Sequence, residues 1–208
     1  MMTAQGRRAP DARTPFAPPA AADAAAEARL LDRLGLEAQR RGLLDVAYRT
    51  LDTPVGSLLV AATAEGVVRV AFDCEGHDAV LDGLAERVSP RILPAPGRLD
   101  EAARQLDEYF AGRRRRFDLA LDLRLARGFR QKVLGRLRAI DYGATATYAA
   151  IAAAVGSPAA VRAVGTACAK NPLPVLVPCH RVLRSDGSVG QYVGGHDAKK
   201  ALLELEAA

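Results

Sequence analysis

LPVLVPCHRVL, residues Leu173 to Leu183, sets a cysteine beside a histidine behind an apolar run. Pro178 fixes its own φ and biases Val177 towards an extended backbone, so the Cys179 side chain is presented from a stiff segment. The neighbouring imidazole of His180 can lower the thiol pKa or take its proton, which a free cysteine needs to become a nucleophile near neutral pH. Read alone, the pair is at least as well explained as a buried cysteine at the end of a strand. The flanks decide between the two.

Upstream, Thr147 to Val155 (TYAAIAAAV) reads as a short helix ended by Gly156. Ser157-Pro158 then reads as the start of a second helix, with Ser157 as N-cap and Pro158 at the first helical position, and Asn171-Pro172 as its stop. Two short helices joined by a tight Gly-Ser-Pro turn predict a helix-turn-helix. With these flanks in view, the chain resembles the O6-alkylguanine-DNA alkyltransferases, also called methylated-DNA-protein cysteine methyltransferases. The pieces that match in order and spacing are Arg162-Ala163-Val164-Gly165, Asn171-Pro172, Pro178-Cys179-His180-Arg181, Val189-Gly190, Tyr192, Gly194-Gly195, Lys199 and Glu206.

Composition agrees with a folded chain of one or two small domains. The 208 residues are half hydrophobic, with no apolar run long enough to span a bilayer and no signal-peptide core at the N-terminus. A cytoplasmic protein without membrane partners is expected. The three cysteines, Cys74, Cys168 and Cys179, are spaced neither as a zinc knuckle nor as a disulfide framework, and no metal or cofactor is expected. Charge is more informative when divided: residues 128–208 carry 10 Lys plus Arg against 5 Asp plus Glu, whereas residues 1–127 balance at 19 each. The whole net charge of +5 therefore lies with the helix-turn-helix and the cysteine, which favours a polyanionic partner.

In chain order, residues 1–22 are rich in Ala, Pro and Arg and read as a disordered tail. Residues 23–41 are helical by propensity, with Leu30, Leu31, Leu34 and Leu36 offering an apolar side; the role of residues 1–45 is open. From Val46 to Cys74, short extended runs separated by turns predict an antiparallel meander, with Cys74 packed on a strand. Helices are expected at 77–88 and 99–111, and a half-buried strand over Asp118–Leu125, where leucines alternate. Arg113–Arg116 read as a solvated basic turn. After Gly128, Phe129, Val133, Leu134, Leu137 and Ile140 mark an amphipathic helix, and Asp197–Glu206 a last one with Lys199, Leu203 and Glu206 on one face. Cys168 reads as helix packing. The fold expected is α+β: a small N-terminal α/β domain (46–126), ribonuclease-H-like by the resemblance, followed by a mainly helical domain (127–208) with the helix-turn-helix.

The resemblance assigns the chemistry. Cys179 takes an alkyl group from O6 of a guanine in DNA and keeps it as a thioether, so the protein is consumed in one turnover. His180 takes the thiol proton through a water, Glu206 orients the imidazolium, Asn171 holds the segment before the cysteine, and Tyr148 donates to the leaving oxygen. Tyr192 and Lys199 line the nucleotide pocket, the backbone around Val177 and Val189 contacts the base, and Ser185 contacts O6. Arg162 fills the space of a flipped-out base. The small residues around it, Ala159, Ala160, Ala163, Gly165 and Ala167, let the helix approach the minor groove of double-stranded DNA, with Val161 on the same segment among the DNA-binding residues. O4-alkylthymine is a further possible substrate, and the protein is expected to be a monomer, with clustering on DNA left open. The rival reading is a non-catalytic binder of alkylated DNA, against which Cys179 itself argues; a cysteine hydrolase would leave Arg162 and the helix-turn-helix unexplained.

Overall fold

A computed structural model describes residues 21–207; the tail reading for residues 1–20 lies outside the described residues. An N-terminal helix, α1 (Ala21–Arg40), leads into a four-stranded sheet formed by β1 (Val46–Thr53), β2 (Gly56–Thr63), β3 (Gly66–Phe72) and β4 (Ile92–Pro94), in the order β3-β2-β1-β4. The β-branched and leucine-rich runs of the first three strands pair antiparallel, as the meander reading expects, and β4 adds parallel to β1. Two helices, α2 (His77–Arg87) and α3 (Asp100–Phe110), flank this sheet.

The C-terminal part comprises α4 (Phe129–Leu137), β5 (Ala146–Thr147), α5 (Tyr148–Ala154), α6 (Val161–Ala169), β6 (Val182–Leu183) and α7 (Gly195–Ala207). Strands β5 and β6 pair in parallel, Ala146 with Val182 and Thr147 with Leu183. That short ladder ties the N-terminus of α5 to the chain just past the cysteine. The Thr147 hydroxyl caps α5 by accepting from the amide of Ala150 at 3.1 Å.

Several expectations are corrected. Asp118–Leu125 is not a strand: only Leu121 forms an isolated bridge, to Val67, and Leu123–Leu125 turn into a 3-10 helix capped by the Asp122 side chain. Gly66 explains the close approach, since a Cβ there would lie 2.3 Å from the Ala120 carbonyl oxygen. Ser157 does not cap the second helix of the helix-turn-helix. Its carbonyl instead accepts from the amide of Ala160 at 2.8 Å, closing a turn that contains Pro158, and α6 begins at Val161. Cys74 is exposed, on a 3-10 turn rather than a strand. Along α1, packing runs through Gly35 and Ala38, which allow close approach to Ala95, while Leu30, Leu34 and Leu36 stay exposed. The Arg113–Arg116 run is more engaged than a solvated turn: Arg114 pairs with Glu108 and Asp118, Arg115 lies over the Tyr142 ring, and Arg116 pairs with Asp141.

One hydrophobic core runs through both parts of the chain. Val60, Val70 and Leu106 belong to the same cluster of buried residues as Val133, Val164, Val177 and Leu202. The seam is stitched by the amide of Val70, which donates to the Pro172 carbonyl at 2.9 Å, and by Phe72, which packs edge-on against Tyr192 with ring centroids 5.6 Å apart.

Candidate active site

Two tight turns present the cysteine. Val175 has φ of 70°, and the Leu176 amide donates to the Pro174 carbonyl at 2.9 Å, closing a γ-turn in which a β-branched residue takes a left-handed backbone. Such a conformation costs on the order of 1–3 kcal/mol and persists only where the surroundings over-determine it. Here every residue from Asn171 to Val182 is buried. Immediately downstream, the Cys179 amide donates to the Val177 carbonyl at 2.8 Å around Pro178 (φ −78°, ψ 65°), an inverse γ-turn that proline's fixed φ favours. Cys179 to Arg181 then form a single 3-10 turn.

Asn171 braces this loop at three points. Its side-chain oxygen accepts from the Leu173 amide at 3.0 Å, and its side-chain amide donates to the Val177 carbonyl at 2.9 Å and to Cys179 Sγ at 3.1 Å. The thiol is 1 % exposed. Burial pushes its pKa up to about 11, with the Asn171 donor and the Lys199 ammonium pulling the other way. At neutral pH the resting group is therefore the thiol, and a base must remove its proton when the reaction begins.

The candidate base stands next in sequence. His180 is fully buried, and burial holds its pKa below the usual imidazole value, although Glu206 favours the protonated form. Nε2 lies 2.9 Å from Glu206 Oε1. Burial alone would raise the Glu206 pKa, but hydrogen bonds from His180, Arg181 and Tyr109 outweigh it and hold the carboxyl far below its ordinary range. Because the ionised carboxylate can only accept, Nε2 carries the hydrogen, and Nδ1 is left as an acceptor. Nδ1 is buried and meets no hydrogen-bond partner within the protein, so its lone pair is free for a proton.

Two further groups hold the Glu206 carboxylate, and neither has a role in the sequence reading. Arg181 grips Glu206 with two bonds, Nε to Oε2 at 2.7 Å and Nη2 to Oε1 at 2.8 Å, and donates through Nη1 to the Ile140 carbonyl at 2.6 Å. Tyr109, from α3, donates to Glu206 Oε1 at 2.6 Å. Arg181 was visible in the Pro-Cys-His-Arg string, but its partner was not. Tyr109 carries no local signal, since it meets Glu206 only through the tertiary fold. The buried face of α7 is Ala198, Lys199, Leu202 and Glu206, with Leu203 only partly buried, and its two charged residues do not pair with each other.

The remaining predicted residues divide into two groups. Tyr192, Val189 and Gly190 line an open hollow of about 480 Å³ together with Arg184 and Ala169. Tyr148 stands against it: a Cβ on Gly190 would fall 2.5 Å from the Tyr148 hydroxyl, so glycine leaves room for that group. Burial raises the Tyr148 pKa, as do the two nearby thiols, Cys168 and Cys179. Val177 and Lys199 do not line this hollow. Both are fully buried, and Lys199 Nζ donates to the Val182 carbonyl at 2.6 Å, because a buried ammonium needs an acceptor. Ser185 is exposed on the turn beyond β6, which is closed by the Arg184 amide donating to the Ser188 carbonyl at 3.0 Å. On α6, Val161 and Arg162 are exposed, Ala160 and Gly165 are half-buried, and Val164, Ala167 and Cys168 face the core. The helix thus offers a ridge of mostly short side chains, Val161, Ala163, Gly165 and Thr166, with one arginine at its start.

A buried thiol next in sequence to a buried imidazole–carboxylate pair, behind two short helices with an exposed arginine, is the arrangement expected of a cysteine-dependent protein of the nucleic-acid-binding class. Comparison with known proteins makes this specific. Residues 46–123 match the ribonuclease-like domain and residues 128–208 the DNA binding domain of 6-O-methylguanine DNA methyltransferase. The methylated-DNA–protein-cysteine methyltransferase of Mycobacterium tuberculosis H37Rv is 41% identical over 167 residues, covering 77% of this chain and 92% of its own. The constitutive enzyme of Bacillus subtilis is 42% identical over 159 residues, covering 75% and 92%. The crystal structure of M. tuberculosis OGT in complex with DNA superposes with a TM-score of 0.66 at 39% identity, over 77% of this chain and 92% of that one. The chain belongs to the 6-O-methylguanine DNA methyltransferase family.

Proposed function

We propose that the chain repairs alkylated DNA by direct reversal, carrying the alkyl group of O6-alkylguanine to Cys179 in a single irreversible turnover. The observation that carries this reading is the buried relay Cys179, His180, Glu206 behind the exposed ridge of α6. His180 Nδ1 takes the Cys179 proton through a water, the sulfur attacks the alkyl carbon, and the carbon–O6 bond breaks with its electron pair going to the oxygen. Tyr148, beside the hollow, gives a proton to that oxygen so that guanine leaves neutral. The new C–S bond is a thioether, which water does not cleave.

A thiol 1 % exposed cannot meet a base inside a duplex, so the nucleotide is rotated out of the stack into the hollow beside Tyr192 and Val189. Arg162, exposed at the start of α6, enters the vacated position, and the small residues at 160, 163 and 165 allow the helix to lie in the minor groove. A monomer acting in the cytoplasm fits the three free thiols, and among the described residues no helix is long and apolar enough to cross a membrane.

The test is the intact mass of the protein after incubation with a duplex containing O6-methylguanine. Wild type gains one methyl and no more, located on Cys179, and Cys179→Ala gains none. Tight lesion binding without any gain in mass would instead make the chain a lesion-recognition protein.

A further inference from the structure

A basic trough leads away from the nucleotide-sized hollow. Its near part, a cavity of about 380 Å³, shares Ala169 and Val193 with the hollow and includes Lys170 at the end of α6. Its far part, about 390 Å³, is walled by Arg87, Arg124, Arg127 and Arg130 around Leu125. Arg87, Leu125 and Arg130 belong to both parts, so the surface is continuous.

The charges here are largely unanswered. Arg124 is held by Asp122, with Nε to Oδ2 at 2.5 Å, and in the near part Glu75, the one carboxylate of that wall, is taken up by Arg69. Arg130 donates only to the Leu125 carbonyl, at 3.4 Å. Among the described residues, no carboxylate lies within the 4.0 Å of an ion pair from Arg87, Arg127, Arg130 or Lys170. The adjoining helix α4 contains no acidic residue to neutralise them. Four cations gathered without counter-charges repel one another, and their proximity is relieved when an anion sits among them.

We propose that this trough is a second binding site for the DNA backbone, holding phosphates of the strand that flanks the flipped nucleotide. Such a site presupposes that α6 docks on DNA as proposed above. A strand whose nucleotide occupies the hollow has a cationic path past Ala169 and Lys170 to the arginines, which a polymer with a phosphate at each residue can follow. Arg87 comes from α2, Arg127 from the link between the two family domains and Arg130 from the start of the second, so the strand would be gripped at the seam between the two.

The experiment measures the affinity of the full chain for an undamaged duplex of about 20 base pairs over a series of salt concentrations. Wild type is set beside Arg87→Gln/Arg127→Gln and a charge-matched control, Arg29→Gln/Arg33→Gln, which removes two exposed arginines of α1 outside the trough. Each phosphate contact contributes about 0.9 to the slope of log K against log salt, so the trough variant should lose about 1.8 of slope and the control close to nothing. An unchanged slope in the trough variant overturns the proposal and leaves this surface to an acidic protein partner or to none. Equal losses in both variants overturn it as well, because net charge rather than a site would then be responsible. Methyl transfer to Cys179, measured by mass in the same proteins, is a separate readout: a wild type that binds with the full slope but gains no methyl sinks the repair reading and leaves the trough standing.

Discussion

At the scale of single residues, the site solves a conflict between hiding a nucleophile and ionising it. Burial holds the Cys179 proton on, with a pKa of about 11, and the same burial keeps His180 neutral. Only the neutral imidazole can accept a proton, so the transfer rate follows the fraction of His180 that is unprotonated. Its pKa lies below the ordinary 6.5, and the rate of methyl transfer should therefore be flat from pH 8 down to about 6.5 and fall only below it. Stability moves in the same direction. A base whose pKa is depressed in the fold takes up its proton more readily when unfolded, so the chain loses stability as pH drops through 6.5 and below. Glu206 adds to this at lower pH, since its carboxyl is held low and the stabilisation it supplies, present above about 4.5, is lost on acidification. Single-turnover rates from pH 5 to 8, paired with urea unfolding at each pH, check both statements. A rate that declines with a midpoint above 7 would show that His180 is not the neutral base described.

At the scale of elements, the sequence disclosed the periodic segments and hid the turns. The amphipathic helices at 100–110 and 129–137 were legible because their apolar residues recur on one face. Ser157-Pro158 misled because the same residues that start helices also make turns, and the bond from the Ala160 amide to the Ser157 carbonyl decided for the turn. The alternating leucines of 118–125 misled for a different reason: only one bridge, Val67 to Leu121, is available there to turn alternation into a ladder. A glycine between elements gives the sharpest local test. Gly190 leaves space for the Tyr148 hydroxyl, and an alanine Cβ would sit 2.5 Å from that oxygen but 3.3 Å from the nearest ring carbons. Gly190→Ala should destabilise the fold by about 1–3 kcal/mol through overpacking and slow the transfer at least tenfold by displacing the donor. In a Tyr148→Phe background most of that stability loss should vanish, because the atom that clashes is gone. A double-mutant cycle by chemical denaturation reads the coupling, and strict additivity would mean that Tyr148 does not occupy this position.

At the scale of the molecule, the two stretches that match separate family domains share their main core. The main cluster of buried residues draws on both, a smaller one (Val46, Leu59, Val68, Leu84) lies within the N-terminal part alone, and the Glu206 carboxylate is held from both sides, by Arg181 of the C-terminal part and by Tyr109 of the N-terminal part. This was the least legible level of the sequence. Nothing local announces that Tyr109 reaches across to Glu206, or that Gly194 is a glycine because a Cβ there would lie 2.6 Å from the Phe72 ring. In the proposed mechanism the N-terminal part thus acts on the chemistry at a distance, by holding the carboxylate that holds the imidazole. Tyr109→Phe keeps the ring and its packing and deletes one buried hydrogen bond to a charged group, an interaction worth roughly 1.5–3 kcal/mol. Loss of that stability should appear in a single cooperative transition, because an interface shared by one core cannot melt on one side alone. The chain has no tryptophan and five tyrosines, two in the N-terminal part and three in the C-terminal part, so hydrogen exchange resolved by segment is the suitable probe. In Tyr109→Phe the slowest-exchanging amides of β2 and of α4 should lose protection by equal factors. Weakened protection confined to residues 46–123, with 128–208 unchanged, would mean that the two parts fold independently and that the bond to Glu206 does not couple them.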